Sequence, residues 1–340
     1  KINLWYLVKE RIKTLFFNEV EKSLILYHLI ENLQRKIGAD FILITGYTNP
    51  VDKVLAAASK NFNIPSITVQ HGLIPVYGIP GYGYVSTITD RIGVWGRIPF
   101  DTLKNLGVSG KRIVITGSPK FDEIMKKRVG KEEVYGNCGF DLKKKIIFFA
   151  AQPYGGRLFF ESPLHREAIL REVLKAGKEL KDVQIVVKTH PVEDRGYYES
   201  MGSDRYKEII EEMGSDALLI KHSRILEKTD TQKLIAASDV VITFGSLCGL
   251  EGLALGKPLV IINLTDYPDY VPFVKEGAAL GVYERDKLKS VLEQVLKGDY
   301  PRKGMEKFVK GYLYRLDGKS LERLSKVVKE MLNEDKSRVQ

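Results

Sequence analysis

Short apolar runs, each too brief for a helix and each ending in small or polar residues, recur along the whole chain. In order they are Phe41–Thr45, Ile64–Val69, Arg91–Trp95 and Ile113–Thr116, then Ile146–Ala151, Val183–Lys188, Ala217–Ile220, Val240–Thr243 and Leu259–Ile262. Such runs do not alternate polar with apolar residues, so they predict strands buried on both faces, as in parallel sheets. Between them lie stretches with helical spacing: Pro50–Phe62, Pro99–Leu106, Leu164–Glu179, Tyr206–Met213, Thr231–Ala237 and Leu247–Leu255. Strand and helix in alternation means a parallel sheet with helices on both faces. Ahead of the first strand, Glu19–Ile37 reads as an amphipathic helix that Gly38 stops. Leu24, Tyr27, Ile30 and Leu33 share its apolar face, and His28 packs on or beside that face. Arg285–Leu296 and Leu321–Leu332 are the closing helices.

At 340 residues the chain is long for one core and suits two domains. The expected fold class is α/β: two Rossmann-like, doubly wound parallel-sheet domains facing a cleft. Residues 1–125 form the first, acceptor-side domain and 146–340 the second, nucleotide-donor domain with its closing helices. The charged, glycine-broken stretch 126–145 is the expected linker. Ligands in such sheets sit at the carboxyl ends of strands.

Hydrophobic residues make up 44% of the chain and charged ones 28%, the balance of a folded globular protein. No apolar stretch approaches the roughly 18–20 residues that span a bilayer. No signal peptide is visible, and the two cysteines, Cys138 and Cys248, lie in unlike contexts, so a reducing cytoplasm is the expected compartment. The Lys/Glu/Ile/Val-rich composition hints at a thermophile. The net charge is +10. Residues 1–125 hold 15 Lys and Arg against 10 Asp and Glu, leaving 38 against 33 for the remainder (53 − 15 and 43 − 10), so the excess is spread out. A nucleic-acid partner would call for a clustered basic face, and none is present. An anionic substrate, or peripheral association with the anionic inner face of a membrane, fits the charge better.

Three strand tips carry chemistry. The run Val240–Thr243 leads through Phe244, Gly245 and Ser246 into the helix that begins at Leu247. Such a turn aims backbone N–H groups and a helix dipole at one point and binds phosphate there. Ser246 adds a hydroxyl donor, and Glu251, further along the helix, can accept hydrogen bonds from a ribose diol. The same residues also suit an ordinary strand-to-helix turn with Ser246 as N-cap. Lys188, Thr189 and His190 end the strand Val183–Lys188, and Pro191 holds the backbone extended. His190 can donate to a nucleotide phosphate or protonate a leaving group. Lys188 alternates with it and projects to the same side. Gln70, His71 and Gly72 end a strand of the first domain, where His71 can act as general base on an acceptor hydroxyl. Gly72 permits close approach or a positive φ. A loop histidine bonded to backbone is the competing reading of His71. The Gly-, Pro- and Tyr-rich loop Leu73–Tyr84, with Tyr77 and Tyr82, joins the acceptor side. Cys248 reads as a small packing residue. No His/Cys/Asp cluster has metal spacing, and neither a Walker loop nor GxGxxG is present, so no cofactor is expected.

Several segments together resemble a superfamily of surface-carbohydrate enzymes with the GT-B fold. They are Val69–Gly72, Thr116–Asp122, Lys188–Pro191, Ser238-Asp239 with Gly245-Ser246 and Glu251, Gly256-Lys257-Pro258 and Leu316–Ser320. Its members include capsule and polysialic-acid transferases, CDP-glycerol glycerophosphotransferases and the related UDP-N-acetylglucosamine 2-epimerases. The resemblance implies an inverting, metal-independent transferase that moves a group from a CMP-, CDP- or UDP-linked donor to a saccharide or lipid-linked acceptor. Surface polysaccharide or glycolipid synthesis is the implied setting. Thr265–Asp269 is similar to an epimerase segment, but the chain departs from the epimerases at Gly46-Tyr47, Gln70–Ile74, Ala151–Tyr154 and Leu250-Glu251. The acid/base groups that epimerisation needs are absent from those places. A 2-epimerase is therefore the alternative, and a non-catalytic nucleotide-sugar-binding protein the second. GT-B proteins open with a strand and a Gly-rich loop; Lys1–Phe17 shows neither, so the first domain reads as reduced or trimmed.

Overall fold

A computed structural model describes residues 5–46, 49–75, 83–126, 129–136, 140–151, 163–190, 202–214, 218–220 and 230–339. The first sheet holds β1 (Ile42–Ile44), β2 (Ser66–Val69), β3 (Arg91–Val94) and β4 (Ile113–Ile115), in that spatial order. The second holds β5 (Lys145–Ala150), β6 (Val183–Lys188), β7 (Leu218–Ile220), β8 (Val240–Thr243), β9 (Leu259–Ile262) and β10 (Leu280–Val282), in the order β10-β9-β8-β5-β6-β7. Every pairing in both sheets is parallel. The second sheet starts in its middle at β5, runs out to β7, and then returns to the other side of β5 at β8. That reversal is a topological switch point, where ligands of doubly wound sheets bind.

The helices follow from local chemistry. In α1 (Trp5–Ile37) the expected helix is extended to 33 residues, starting well before Glu19. α2 (Pro50–Asn61) opens with Pro50 in its first turn, and Asn49 caps it by accepting from the Val51 N–H at 3.0 Å. α3 (Arg97–Asn105), α4 (Pro119–Ile124), α5 (Lys131–Tyr135), α6 (Pro163–Glu179), α7 (Gly202–Glu212) and α8 (Thr231–Ala237) come next. α9 (Leu247–Ala254), α10 (Leu288–Leu296), α11 (Arg302–Leu313) and α12 (Ser320–Val339) complete the chain.

Four expectations need correction. The apolar face of α1 is not covered: Leu24 is 56% and Leu33 53% exposed. His28 does not pack; it stands exposed and pairs with Glu31 at 3.3 Å. The stretch 126–145 is more than a tether. α5 forms within it, and buried Tyr135 donates to the Leu234 carbonyl at 2.8 Å, fixing it to the second sheet's helices. The closing helix does not stay with residues 146–340. Leu324 and Met331 of α12 pack on Ile67 and Val69 of β2, because a buried parallel sheet needs cover on both faces.

The sequence reading did not find α11, which joins the two halves. Its Met305, Phe308, Tyr312 and Leu313 belong to one apolar cluster with Trp95 and Phe121 of the first half and Phe148 and Val241 of the second. Trp95 meets Phe121 and Tyr312 edge-on at 5.4 and 6.4 Å, and Tyr312 stacks on Phe308 at 5.5 Å. The Tyr312 hydroxyl also accepts from the Ile74 N–H at 2.8 Å.

Candidate functional site

Strand register builds the site. Lys188 of β6 stands opposite Ala150 of β5, and Ala150 stands opposite Thr243 of β8. The three strand ends lie abreast at the switch point, so Lys188 and Thr243 are two strand spacings apart, about 10 Å. Within three residues of those ends come His190, Ala151 and the Gly245-Ser246 turn. Lys188 is 5% exposed and Thr189 1%, whereas His190 is half-buried. The residues that follow His190, Pro191 among them, lie outside the described ones.

The turn is built as the sequence suggested, and as an N-cap too. Thr243 Oγ1 accepts from the Ser246 N–H at 3.3 Å and donates to the Ala150 carbonyl at 3.2 Å. Ser246 Oγ accepts from the Cys248 N–H at 3.2 Å, which caps α9, and its hydroxyl is hydrogen-bonded to the Cys248 side chain as well. The missing side chain of Gly245 makes room for Tyr270, whose Cβ would lie 3.3 Å from any Cβ placed there. Leu247 is half-buried against the apolar cluster, so only its backbone can serve a ligand. With the Gly249 N–H bonded to the Ser246 carbonyl at 2.9 Å as well, the attraction this end of α9 offers an anion is chiefly that of its helix dipole.

Glu251 is 4% exposed, one turn along α9. Its carboxylate pairs with Lys120 of α4 at 2.8 Å, a contact between the two halves of the protein. Cys248 lies among these groups. Burial foremost, and then the charge of Glu251, push its thiol up to about 12, against the opposing pull of Lys120 and Lys188. The thiol is therefore neutral and unreactive at ordinary pH. The charges of Glu251, Lys120 and Lys188 thus all act on Cys248, near the start of α9.

The tip of β2 is a second cluster. Gln70 is 3% exposed, and its amide is spent inside the protein. It donates to the Gly72 carbonyl at 2.8 Å and accepts from the Trp95 N–H at 2.8 Å. Gln70 thus shapes the turn that presents His71. Gly72 has no positive φ, and among the described residues a Cβ on it would meet nothing within 4 Å, so the space beside it is open to a close approach. His71 is exposed at its edge and hydrogen-bonded to the Thr45 backbone. Partial burial lowers its pKa below the usual histidine value, and the Thr45 bond and the charge of Asp52 only partly offset this. Its imidazole is accordingly neutral near pH 7, the form that accepts a proton. Gly46 makes this arrangement possible: a Cβ there would fall 1.7 Å from Asp52 Oδ2. Tyr77 and Tyr82 lie outside the described residues.

Other motif residues prove to be joints. Asp122 accepts from the Gly318 and Ser320 N–H groups at 3.2 and 2.9 Å, capping α12. Arg323 donates to the Thr116 carbonyl at 2.9 Å. Gly117 has φ +75, and a Cβ on it would sit 2.4 Å from Ser320 Oγ. Gly256, at φ +72, ends α9 in the left-handed conformation that favours glycine. Among the described residues, no group of three His, Cys, Asp or Glu side chains is placed to hold a metal ion, and no helix is long and apolar enough to cross a membrane.

Two parallel sheets, the second with a strand-to-helix turn at its switch point, give the chain a GT-B-like fold. Residues 102–330 match the CDP-glycerol:poly(glycerophosphate) glycerophosphotransferase family, and the chain belongs to that family. No curated protein matches it. Among solved structures it is similar to the UDP-bound MnaA of Staphylococcus aureus, at 17% identity and a TM-score of 0.65 over 93% of this chain and 82% of that one. It is also similar to the UDP-GlcNAc 2-epimerase of Neisseria meningitidis bound to UDP-GlcNAc, at 16% identity and 0.64 over 92% and 82%. Anabaena Alr3699/HepE in complex with UDP and glucose gives 12% identity and 0.56 over 87% and 81%. At these identities the likeness concerns the fold.

Proposed function

We propose that the protein carries out a single displacement with inversion, moving the activated group of a CDP-linked donor onto a hydroxyl of a saccharide or lipid-linked acceptor. The observation that carries this reading is the register of Lys188, Ala150 and Thr243 beside the start of α9, in a chain of this family. The donor's phosphates lie at the Gly245-Ser246 turn, with Lys188 and His190 on their flank, and Glu251 takes the ribose hydroxyls. The acceptor occupies the open space beside Gly72. Its oxygen attacks the donor's electrophilic centre as His71 takes the hydroxyl proton. The bond to the nucleotide's phosphate oxygen breaks, and the helix N-terminus and cations stabilise the departing charge, the work a metal does in other enzymes. If the group moved is glycerol phosphate, CMP departs; if it is a sugar, the nucleoside diphosphate departs. The setting is synthesis of a surface polymer or glycolipid, at the inner face of the membrane.

A thermal-shift series with CMP, CDP, UDP and GDP tests the donor assignment. A nucleotide held only by the folded state stabilises it by about 2.7 kcal/mol at a hundred times its dissociation constant. Cytidine nucleotides give the largest rise. The assignment fails if none of the four shifts the melting point, or if His190→Ala keeps full transferase activity and donor affinity. Unchanged turnover in a chelator is the expected sign of metal independence. The fold likeness to 2-epimerases supports one competing reading. Incubation with UDP-N-acetylglucosamine alone separates them, since a C2 epimer would replace transfer. Nucleotide binding without any reaction would leave a sensing protein.

A further inference from the structure

The ion pair between Lys120 and Glu251 is the one charged contact described between α4 and α9, and it lies where the two halves of the protein meet. Its two members are unequal. The Glu251 side chain is 5% exposed and that of Lys120 43%. A carboxylate buried to that degree needs a partner, and Lys120 provides one. An ammonium group has three N–H donors, and a single contact with a carboxylate leaves others directed at the solvent side of the pair. Lys120 meets Glu251 one turn into α9, and both charges act with that of Lys188 on Cys248, two positive and one negative toward the positive end of the helix dipole. Without Lys120 the balance at that point would be one positive and one buried, unpaired negative charge.

We propose that Lys120 is a donor-binding residue supplied by the first half of the protein, its ammonium bridging the Glu251 carboxylate and the phosphates of the nucleotide. The proposal rests on the donor site argued above and adds to it in two ways. It gives Glu251 a neutralising partner, so that a carboxylate beside the phosphates does not repel them. It also makes donor affinity depend on the docking of α4 against α9, so that the two halves bind the nucleotide jointly.

Calorimetric titration of the 340-residue chain with CDP, UDP and the uncharged nucleosides cytidine and uridine tests this. In Lys120→Met, affinity for the preferred diphosphate falls about tenfold or more, the size of a lost charge-assisted hydrogen bond. Affinity for the matching nucleoside changes less than about twofold, because it carries no phosphate. Lys120→Arg restores most of the diphosphate affinity. The double variant Lys120→Met with Glu251→Gln avoids a buried unpaired carboxylate; it binds diphosphate more weakly than Glu251→Gln alone. Diphosphate binding by Lys120→Met within twofold of wild type, or by the double variant within twofold of Glu251→Gln, overturns the proposal while leaving the donor site standing. Equal losses for nucleoside and diphosphate also overturn it, since they mark a purely structural pair. A wild-type chain that binds none of the nucleotides removes the donor site, and Lys120's role with it.

Discussion

Asp239 shows what a motif residue can be when read in place. Burial works against its charge, yet hydrogen bonds from Lys131 and the Ile146 N–H, with the charges of Lys131 and Lys145, outweigh burial and hold its pKa below the ordinary aspartate value. The bonds measure 2.6 Å to Lys131 and 2.8 Å to Ile146. A lowered folded-state pKa means that the carboxylate's contribution is complete above the unfolded value and disappears as pH falls through the folded one. Asp239→Asn is expected to cost about 1–3 kcal/mol at neutral pH. The gap to wild type closes as urea melts are repeated toward about pH 3. A gap that is constant over that range would show that the charge is not what matters. Ser246 and Glu251 were readable from the sequence because the turn and helix that place them are local. Gln70 was misread because the Trp95 N–H that takes its amide lies 25 residues on. Lys120 was visible only as part of a motif, since Glu251, its partner, is far away in the chain and meets it only after both sheets have formed.

Among the elements, α1 is the one whose pattern and packing disagree. Helical periodicity from Glu19 to Ile37 announced a buried face, but Leu24 is 56% and Leu33 53% exposed, while Tyr27 and Ile30 are half-buried. Leu15, Phe16, Val20 and Leu24 of α1 form one wall of an apolar groove of about 750 Å³ whose other wall is Val54 and Ala57 of α2. A periodic pattern states that a face is apolar; it does not state what covers it. The groove should take up a hydrophobic dye such as ANS. Phe16→Ser combined with Leu24→Ser is expected to remove most of the dye fluorescence while shifting stability by no more than about 0.5 kcal/mol per site, as exposed positions do. Undiminished dye binding in that variant would place the apolar surface elsewhere. The strands were legible because buried parallel strands are uniformly apolar, whereas α11 escaped notice. Its Met305, Phe308, Val309 and Tyr312 do carry helical spacing behind Pro301, but what that face covers shows only against Trp95 and Phe121.

For the whole molecule, the seam between the halves is set by backbone as much as by side chains. A Cβ on Gly96, ahead of α3, would lie 2.5 Å from the carbonyl oxygens of Gly311 and Tyr312 in α11. Backbone cannot give way as a side-chain end can. Gly96→Ala should therefore force α3 and α11 apart and cost about 1–3 kcal/mol in urea unfolding, the range for overpacking. Stability equal to wild type would mean that the seam is looser than drawn. The α/β class and the two-sheet plan were legible from alternation alone, but the return of α12 to β2 was not, because no local signal tells a helix which sheet it will cover. That return has a consequence for how the protein comes into being. On the ribosome β2 emerges before the second sheet, while Leu324 and Met331, which cover Ile67 and Val69, emerge after it. The six-stranded sheet, contiguous in the chain, can close while synthesis continues. The nascent first sheet keeps an apolar face open until α12 has been made, so the sheet made earlier is covered after the later one.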